Sequence, residues 1–134
     1  MLEREYIQST GFQNVIDDGK VTGFQFKLRL PSYRGMWASL IEGCAVKIDG
    51  IVDVPHDVPL WTLQGRTCTV EELDASTDLR WQLEEPAVIT VPLSGGLKPG
   101  IYDLQIEFRY RMSYIPIEHQ PSVHKASRKV VIVK

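Results

Sequence analysis

One segment combines a predicted core strand with a candidate binding loop: Val21-Thr22-Gly23-Phe24-Gln25-Phe26-Lys27-Leu28-Arg29-Leu30-Pro31-Ser32-Tyr33-Arg34-Gly35. From Thr22 to Leu30 the even-numbered side chains are assigned to a buried face and the odd-numbered ones to a polar face. This alternation is typical of a half-buried β-strand. Pro31 removes a ladder donor and Gly35 permits a turn, so the strand should end there and place Tyr33 and Arg34 in a loop.

The same alternation recurs from Tyr102 to Met112, a segment that is long for a strand and contains no proline. It is therefore predicted to lie in the middle of a sheet. Between such segments stand hairpin signals, among them Asp17-Asp18-Gly19-Lys20 and Asp49-Gly50. Eight to ten short strands with little helix predict one all-β domain over residues 1–134, an antiparallel β-sandwich of jelly-roll type.

Two departures from the strand pattern are expected. Thr69 and Glu72 have the spacing of a capping box, which predicts a turn or two of helix from Val70 to about Asp74. Ser113 to Ser127 has no periodicity and is predicted to be a long loop, followed by a closing strand from Val130 to Val133 that is apolar on both faces.

Composition and charge exclude several classes of function. The net charge of −2 offers no attraction to phosphate backbones, so a nucleic-acid partner is not expected. Met1 to Glu5 is charged and lacks the apolar region of a signal peptide, and no apolar run reaches the ~20 residues that span a bilayer. A soluble, cytoplasmic protein is predicted, and Cys44 and Cys68 are expected to be free buried thiols.

The ionisable residues form no self-contained active site. His56, His119 and His124 lack metal-ligand spacing, although Glu118 beside His119 leaves a weak metal site open as an alternative. No phosphate-binding glycine loop is present. A carboxylate pair for glycoside hydrolysis stays open because it depends on spatial separation. Neither a catalytic residue nor a metal ligand is therefore assigned to this chain.

Aromatic residues point instead to binding. Trp81 lies on the apolar face of its segment and is predicted to be in the core, whereas Trp61 is less certain. Trp, Tyr and Arg in loops are typical of interface hot spots. The alternative is that Tyr33 and Tyr114 only cover the ends of the core. The predicted partner-binding or pocket-rim residues are Tyr33, Arg34, Met36, Trp37, Tyr114, Ile115 and Pro116.

Five segments in register resemble one family, the small beta subunits of bacterial C-glycoside deglycosidases. They are residues 19–35, Val46-Lys47-Ile48-Asp49-Gly50, Thr77-Asp78-Leu79-Arg80-Trp81, Gly95-Gly96-Leu97-Lys98-Pro99-Gly100 and Arg111-Met112-Ser113-Tyr114-Ile115-Pro116. The resemblance implies a β-sandwich that packs on a TIM-barrel alpha subunit, which carries the catalytic bases and a divalent metal, typically manganese. It makes residues 31–35 and 113–116 the expected contacts with that subunit or with the mouth of its pocket.

The resemblance also implies a reaction. The substrate would be a C-glycoside already oxidised to a ketone at sugar C3, and elimination would break the carbon–carbon bond to an aromatic aglycone such as a flavonoid. The other product would be a 1,5-anhydro-hex-1-en-3-ulose. A different class of function is a free-standing carbohydrate-binding module that stacks sugars on Trp37, Trp61 and the tyrosines.

Overall fold

The computed structural model describes residues 5–30, 35–82, 84–111 and 122–132. Nearly all the regular structure in this part of the chain is strand, and it includes one short 3-10 helix (Ala38–Leu40) and one α-helix, α1 (Val70–Ala75). The strands are β1 (Gln13–Asp17), β2 (Lys20–Leu28), β3 (Met36–Trp37), β4 (Ile41–Ile48), β5 (Val52–Val54), β6 (Leu60–Leu63), β7 (Arg66–Cys68), β8 (Arg80–Trp81), β9 (Ala87–Pro92), β10 (Gly100–Tyr110) and β11 (Ser122–Ile132).

The strands form three antiparallel sheets. The first has the order β1-β2-β9-β6-β7, the second β11-β10-β4-β5, and the third is the pair β3-β8. The all-β prediction is thus confirmed, and β10 occupies the interior position predicted for it. None of the helices in the described part of the chain is long and apolar enough to span a membrane.

One aromatic cluster joins the three sheets. Trp61 on β6, Trp81 on β8 and Phe108 on β10 have ring centroids 5.5 Å apart in each pairing. Trp61 and Trp81 are fully buried, and Phe108 is only 2% exposed. Because rings from facing sheets touch, the sheets pack as a sandwich around a single core. The assignment of Trp81 to the core is confirmed.

Strand β2 follows the predicted alternation from Phe24 onward. Phe24, Phe26 and Leu28 are buried, and Leu30 just beyond the strand is buried as well. The assignment of Thr22 to the buried face is wrong, because Thr22 is exposed. The register passes from Val15 opposite Gly23 to Ile16 opposite Val21, so a bulge leaves Thr22 without a partner on β1 and resets the alternation.

Local turn and capping chemistry behaves as expected. Asp18 and Gly19 have φ of 51° and 76°, the left-handed conformation that a two-residue hairpin turn requires. Both capping-box bonds of α1 are present: the Glu72 amide donates to Thr69 Oγ1 at 3.1 Å, and the Thr69 amide donates to Glu72 Oε1 at 2.9 Å.

The prediction of a loop from Ser113 to Ser127 is wrong from Ser122 onward, because β11 begins there and pairs with β10 along its whole length. In the edge strand β11, the face that carries buried Val130 and Ile132 also carries His124 and Arg128, which hides its period. Arg128 Nη1 donates to the carbonyl of Ile7 at 2.9 Å, tying this edge to the chain beside β2. Residues 112–121 lie outside the described residues. The predicted closing strand is confirmed from Val130 to Ile132, as the end of β11. Val130 and Ile132 are buried and Val131 is 53% exposed, so only one of its two apolar faces lies in the core.

The two cysteines are free and buried, as predicted. Complete burial raises the pKa of the Cys44 thiol far above its usual range, because the core disfavours the thiolate. Cys44 therefore behaves as a small apolar core residue and not as a nucleophile.

Candidate functional site

The two-stranded sheet β3-β8 presents one aromatic and one cationic side chain to solvent. Met36 is opposite Trp81 and Trp37 is opposite Arg80. Because neighbours along a strand point to opposite faces, Met36 and Trp81 enter the core while Trp37 and Arg80 point outward. Trp37 is 46% exposed, and Arg80 Cζ lies 4.8 Å from its ring centroid, a cation–π arrangement. We call Trp37 and Arg80 the Trp37–Arg80 pair.

A second aromatic group lies where β10 ends and β11 begins. The Tyr110 ring stacks on His124 with centroids 5.2 Å apart, and a hydrogen bond of 2.6 Å joins Tyr110 Oη to His124 Nε2. The Tyr6 ring meets His124 edge-on at 5.6 Å, and Arg29 Cζ lies 5.2 Å from the Tyr6 centroid. These four side chains, which we call the His124 cluster, connect the end of β2 to the start of β11.

The sequence-predicted contact residues divide between described and undescribed parts of the chain. Tyr33, Arg34, Tyr114, Ile115 and Pro116 lie outside the described residues, and their role in binding stays a prediction. Met36 is only 4% exposed and packs in the core, so within the predicted set it supports the surface from beneath. Trp37 is the member of the set that the described structure places at the surface.

Arg29 and Arg111 are described residues close to segments 31–34 and 112–121, and each is held by a backbone hydrogen bond. The Arg29 amide donates to the Tyr6 carbonyl at 2.7 Å, and Tyr6 contacts His124. The Arg111 amide donates to the Leu40 carbonyl at 2.7 Å, and Leu40 belongs to the 3-10 helix that follows Trp37. Because Tyr110, the neighbour of Arg111, stacks on His124, Arg29 and Arg111 lie at the same end of the sandwich.

Arg111 also organises a cleft beside α1. Its guanidinium contacts Glu42 at 3.2 Å and Asp74 at 3.0 Å, and donates to the Ser39 carbonyl at 2.8 Å. The cleft has a volume of about 670 Å³, and it also contains His56 and two further carboxylates. Across residues 5–30, 35–82, 84–111 and 122–132, no three His, Cys, Asp or Glu side chains are grouped to hold a metal ion. His119 lies outside those ranges.

Burial lowers the pKa of His124 below its ordinary value of 6.5, because the aromatic surroundings disfavour the imidazolium. The folded state then binds fewer protons than the unfolded state, so stability should fall as pH drops from 6.5 through the lower folded-state pKa. We expect wild type to lose stability relative to His124→Asn as urea unfolding is repeated from pH 7.5 down to pH 5. A pH-independent difference would contradict this burial effect.

Comparison with known proteins places the chain in a family. The family model described as C-glycoside deglycosidase beta subunit matches residues 2–114. The chain belongs to this family. Membership confirms the resemblance noted from the five sequence segments, and the matched region runs through β10 and includes the Trp37–Arg80 pair. Strand β11, with His124, lies beyond it.

Individual relatives carry the same description. A C-glycoside deglycosidase beta subunit of Eubacterium cellulosolvens is 38% identical over 116 residues, covering 86% of this chain and 78% of the relative. One from Arthrobacter globiformis is 29% identical over 93 residues, which cover 69% of this chain and 70% of the relative. A 3'-dehydrocarminate deglycosidase beta subunit from a Microbacterium species is 28% identical over 114 residues, which cover 84% of this chain and 85% of the relative.

Within this beta-subunit fold, the sequence did not indicate the role of Arg80. Arg80 is outward-facing because it stands between buried Leu79 and Trp81, and the alternation Leu79-Arg80-Trp81 was the available signal. Trp37, its partner across the strands, was predicted as a binding residue, but its pairing with Arg80 had no sequence signal because strands of two residues have no readable period. The stacking of His124 on Tyr110 was hidden because the first part of β11, where His124 lies, was not predicted as a strand.

Proposed function

We propose that this chain is the beta subunit of a heteromeric C-glycoside deglycosidase and that it supplies no catalytic residue. The observation that carries the proposal is the family match over residues 2–114, together with relatives whose names specify a beta subunit. A subunit so named implies a partner subunit. We propose that the partner is a TIM-barrel alpha subunit holding the catalytic bases and a divalent metal, manganese, as the family resemblance implies.

The proposed reaction is an elimination from a 3-oxo-C-glycoside. A ketone at sugar C3 acidifies the C2 proton, so a base can remove that proton while a C1=C2 double bond forms. The electron pair of the broken C1–carbon bond passes to the aromatic ring, which then takes a proton. The products are the aromatic aglycone and a 1,5-anhydro-hex-1-en-3-ulose. A divalent metal would supply Lewis-acid stabilisation of the enolate. The name 3'-dehydrocarminate deglycosidase, given to one relative, supports an oxidised substrate.

The proposed contact with the alpha subunit is the end of the sandwich at which Arg29, Arg111 and the Trp37–Arg80 pair lie. Three observations support it: Arg29 and Arg111 are held there by backbone hydrogen bonds, Trp37 is exposed, and Met36 anchors Trp37 to the core from the opposite face of β3. Tyr33, Arg34, Tyr114, Ile115 and Pro116 belong to this proposed surface on the strength of the sequence alone.

Reconstitution tests the proposal. This chain, its candidate alpha subunit and their mixture are each incubated with a 3-oxo-C-glycoside and a divalent metal, and released aglycone is measured by liquid chromatography. We expect aglycone from the mixture and none from this chain by itself. Aglycone from this chain alone would overturn the non-catalytic role, and failure of the two chains to co-elute would overturn the subunit role.

The structure disfavours the alternative of a free carbohydrate-binding module. That alternative requires Trp37 and Trp61 on one sugar-stacking platform, but Trp61 is fully buried between Trp81 and Phe108. A fully buried indole offers no face to a sugar ring in solution. One exposed tryptophan, Trp37, is left in the described part of the chain.

A further inference from the structure

We infer that the Trp37–Arg80 pair is the anchor through which this chain binds an acidic surface of its partner subunit, with a partner carboxylate on the Arg80 guanidinium. The inference rests on the proposed function, since it takes the alpha subunit as the partner. It goes further by assigning a specific residue on this chain and the chemistry of the group that it meets.

Arg80 is a cation without an acceptor in the described structure. It makes no hydrogen bond and no ion pair there, and its one assigned contact of this kind is the Trp37 ring. The carboxylate nearest to it in sequence, Asp78, is engaged elsewhere, because Arg66 Nη1 holds it at 3.1 Å. The five donors of the Arg80 guanidinium are therefore available to an external carboxylate.

Trp37 restrains that guanidinium. Arg80 Cζ lies over the Trp37 ring, 4.8 Å from its centroid, and this cation–π contact favours a position of the guanidinium over the indole. Trp37 is 46% exposed, while the other two tryptophans are fully buried. Exposed Trp and Arg side chains in contact are residue types enriched at interface hot spots.

The scaffold beneath the pair is rigid, which favours a preformed anchor. Met36 and Trp81 are the inward neighbours of Trp37 and Arg80. Met36 is 4% exposed, and Trp81 is fully buried. The Ala38 amide donates to the Leu79 carbonyl at 2.9 Å, which extends the pairing of β3 with β8. The Trp81 indole donates to the Glu85 carbonyl at 2.8 Å. Side chains held in place before association lose little entropy when they bind.

The charge of the pair decides which partner surface fits. An unpaired cation repels a basic surface and is costly to bury against an apolar one, whereas a carboxylate offsets its desolvation with two parallel hydrogen bonds. We therefore assign an Asp or Glu side chain of the partner to this site and expect the association to weaken with salt.

The test is association of the full chain with the alpha subunit, measured by titration calorimetry at two salt concentrations. Arg80→Ala should raise Kd by about 30-fold, the effect of losing a hot-spot residue. Arg80→Lys should raise it by about tenfold, because an ammonium keeps the charge but lacks the planar fork. Trp37→Ala should also weaken binding. The wild-type Kd should rise with salt more steeply than that of Arg80→Ala.

Lys129→Ala is the matched control. It also removes one exposed positive charge, but from β11, where Lys129 lies 3.9 Å from Asp103. We expect a change in Kd of less than about twofold. Thermal unfolding of each full-chain variant checks that the fold is retained. If Arg80→Ala is less stable than wild type, Arg80→Lys, which keeps a long cationic side chain, is the variant compared with wild type.

The outcomes separate this inference from the proposed function. If wild type binds the alpha subunit but Arg80→Ala and Arg80→Lys bind equally well, the anchor is wrong and the subunit role stands. If Trp37→Ala alone weakens binding, the contact is apolar and the assigned carboxylate is wrong. If wild type does not bind the alpha subunit, the proposed function fails and the anchor fails with it.

Discussion

Phe108→Ala is expected to lower the free energy of unfolding by about 3–5 kcal/mol, the usual cost of removing a buried phenylalanine ring. Phe108 is 2% exposed. Its ring centroid lies 5.5 Å from those of Trp61 and Trp81 and 5.0 Å from that of Tyr110. Its loss opens a cavity at the point where the three sheets meet, and the neighbouring indoles are too rigid to fill it. The change in the free energy of unfolding is measured by urea denaturation, with tryptophan fluorescence as the signal for unfolding.

Ile101→Ala provides a control on the same strand. Ile101 is 71% exposed, so its truncation should change the free energy of unfolding by less than about 0.5 kcal/mol. A loss at Phe108 no larger than the loss at Ile101 would mean that the sheets are not held together by the aromatic cluster, and the description of a single shared core would be wrong.

Gly43→Ala is expected to lower the free energy of unfolding by about 3–5 kcal/mol, which is at the severe end of the effects of single substitutions. Gly43 has φ of 128°, and a Cβ atom there would collide with the backbone carbonyl of His56. The neighbouring Cys44 amide donates to that same carbonyl at 3.0 Å, so the two segments cannot separate without losing a hydrogen bond. Relief of the clash requires movement of the main chain, which is more costly than a side-chain rotation.

Gly65→Ala isolates the contribution of the backbone angle. Gly65 also has positive φ, 77°, but no atom lies within 4 Å of the position that a Cβ would occupy. The substitution should therefore lower the free energy of unfolding by only about 1–2 kcal/mol, which is the cost of placing an L-residue in the left-handed region. Equal losses in thermal or urea unfolding of the two alanine variants would rule out the clash with His56 as the cause.

Much of the fold could be predicted from local chemistry. The alternation around Phe26 predicted a buried face because apolar and polar residues repeat with the period of a strand. Asp18-Gly19 predicted its turn because both residues accept positive φ, and Thr69 with Glu72 predicted the capping box because the spacing permits both hydrogen bonds. Each of these features depends on residues close together in the sequence.

The features that could not be predicted depend on distant pairings. The bulge at Thr22 is set by the register of β1 against β2, which the alternation of one strand does not contain. The first part of β11, from Ser122 to Lys129, was missed because an edge strand tolerates polar residues on both faces. For the candidate site, the sequence indicated Trp37 as a surface aromatic but could not indicate that Arg80 lies over its ring, because the pairing of β3 with β8 is a tertiary contact.

The hydrogen bond from Arg128 to the carbonyl of Ile7 has a consequence for the order of events in the cell. It joins residues 121 positions apart, and Arg128 lies on the strand that completes the second sheet. During synthesis, residues near Ile7 leave the ribosome before Arg128 does, so the second sheet is completed only after β11 has emerged. Docking on a partner that requires the completed sheet would therefore begin only after β11 has left the ribosome.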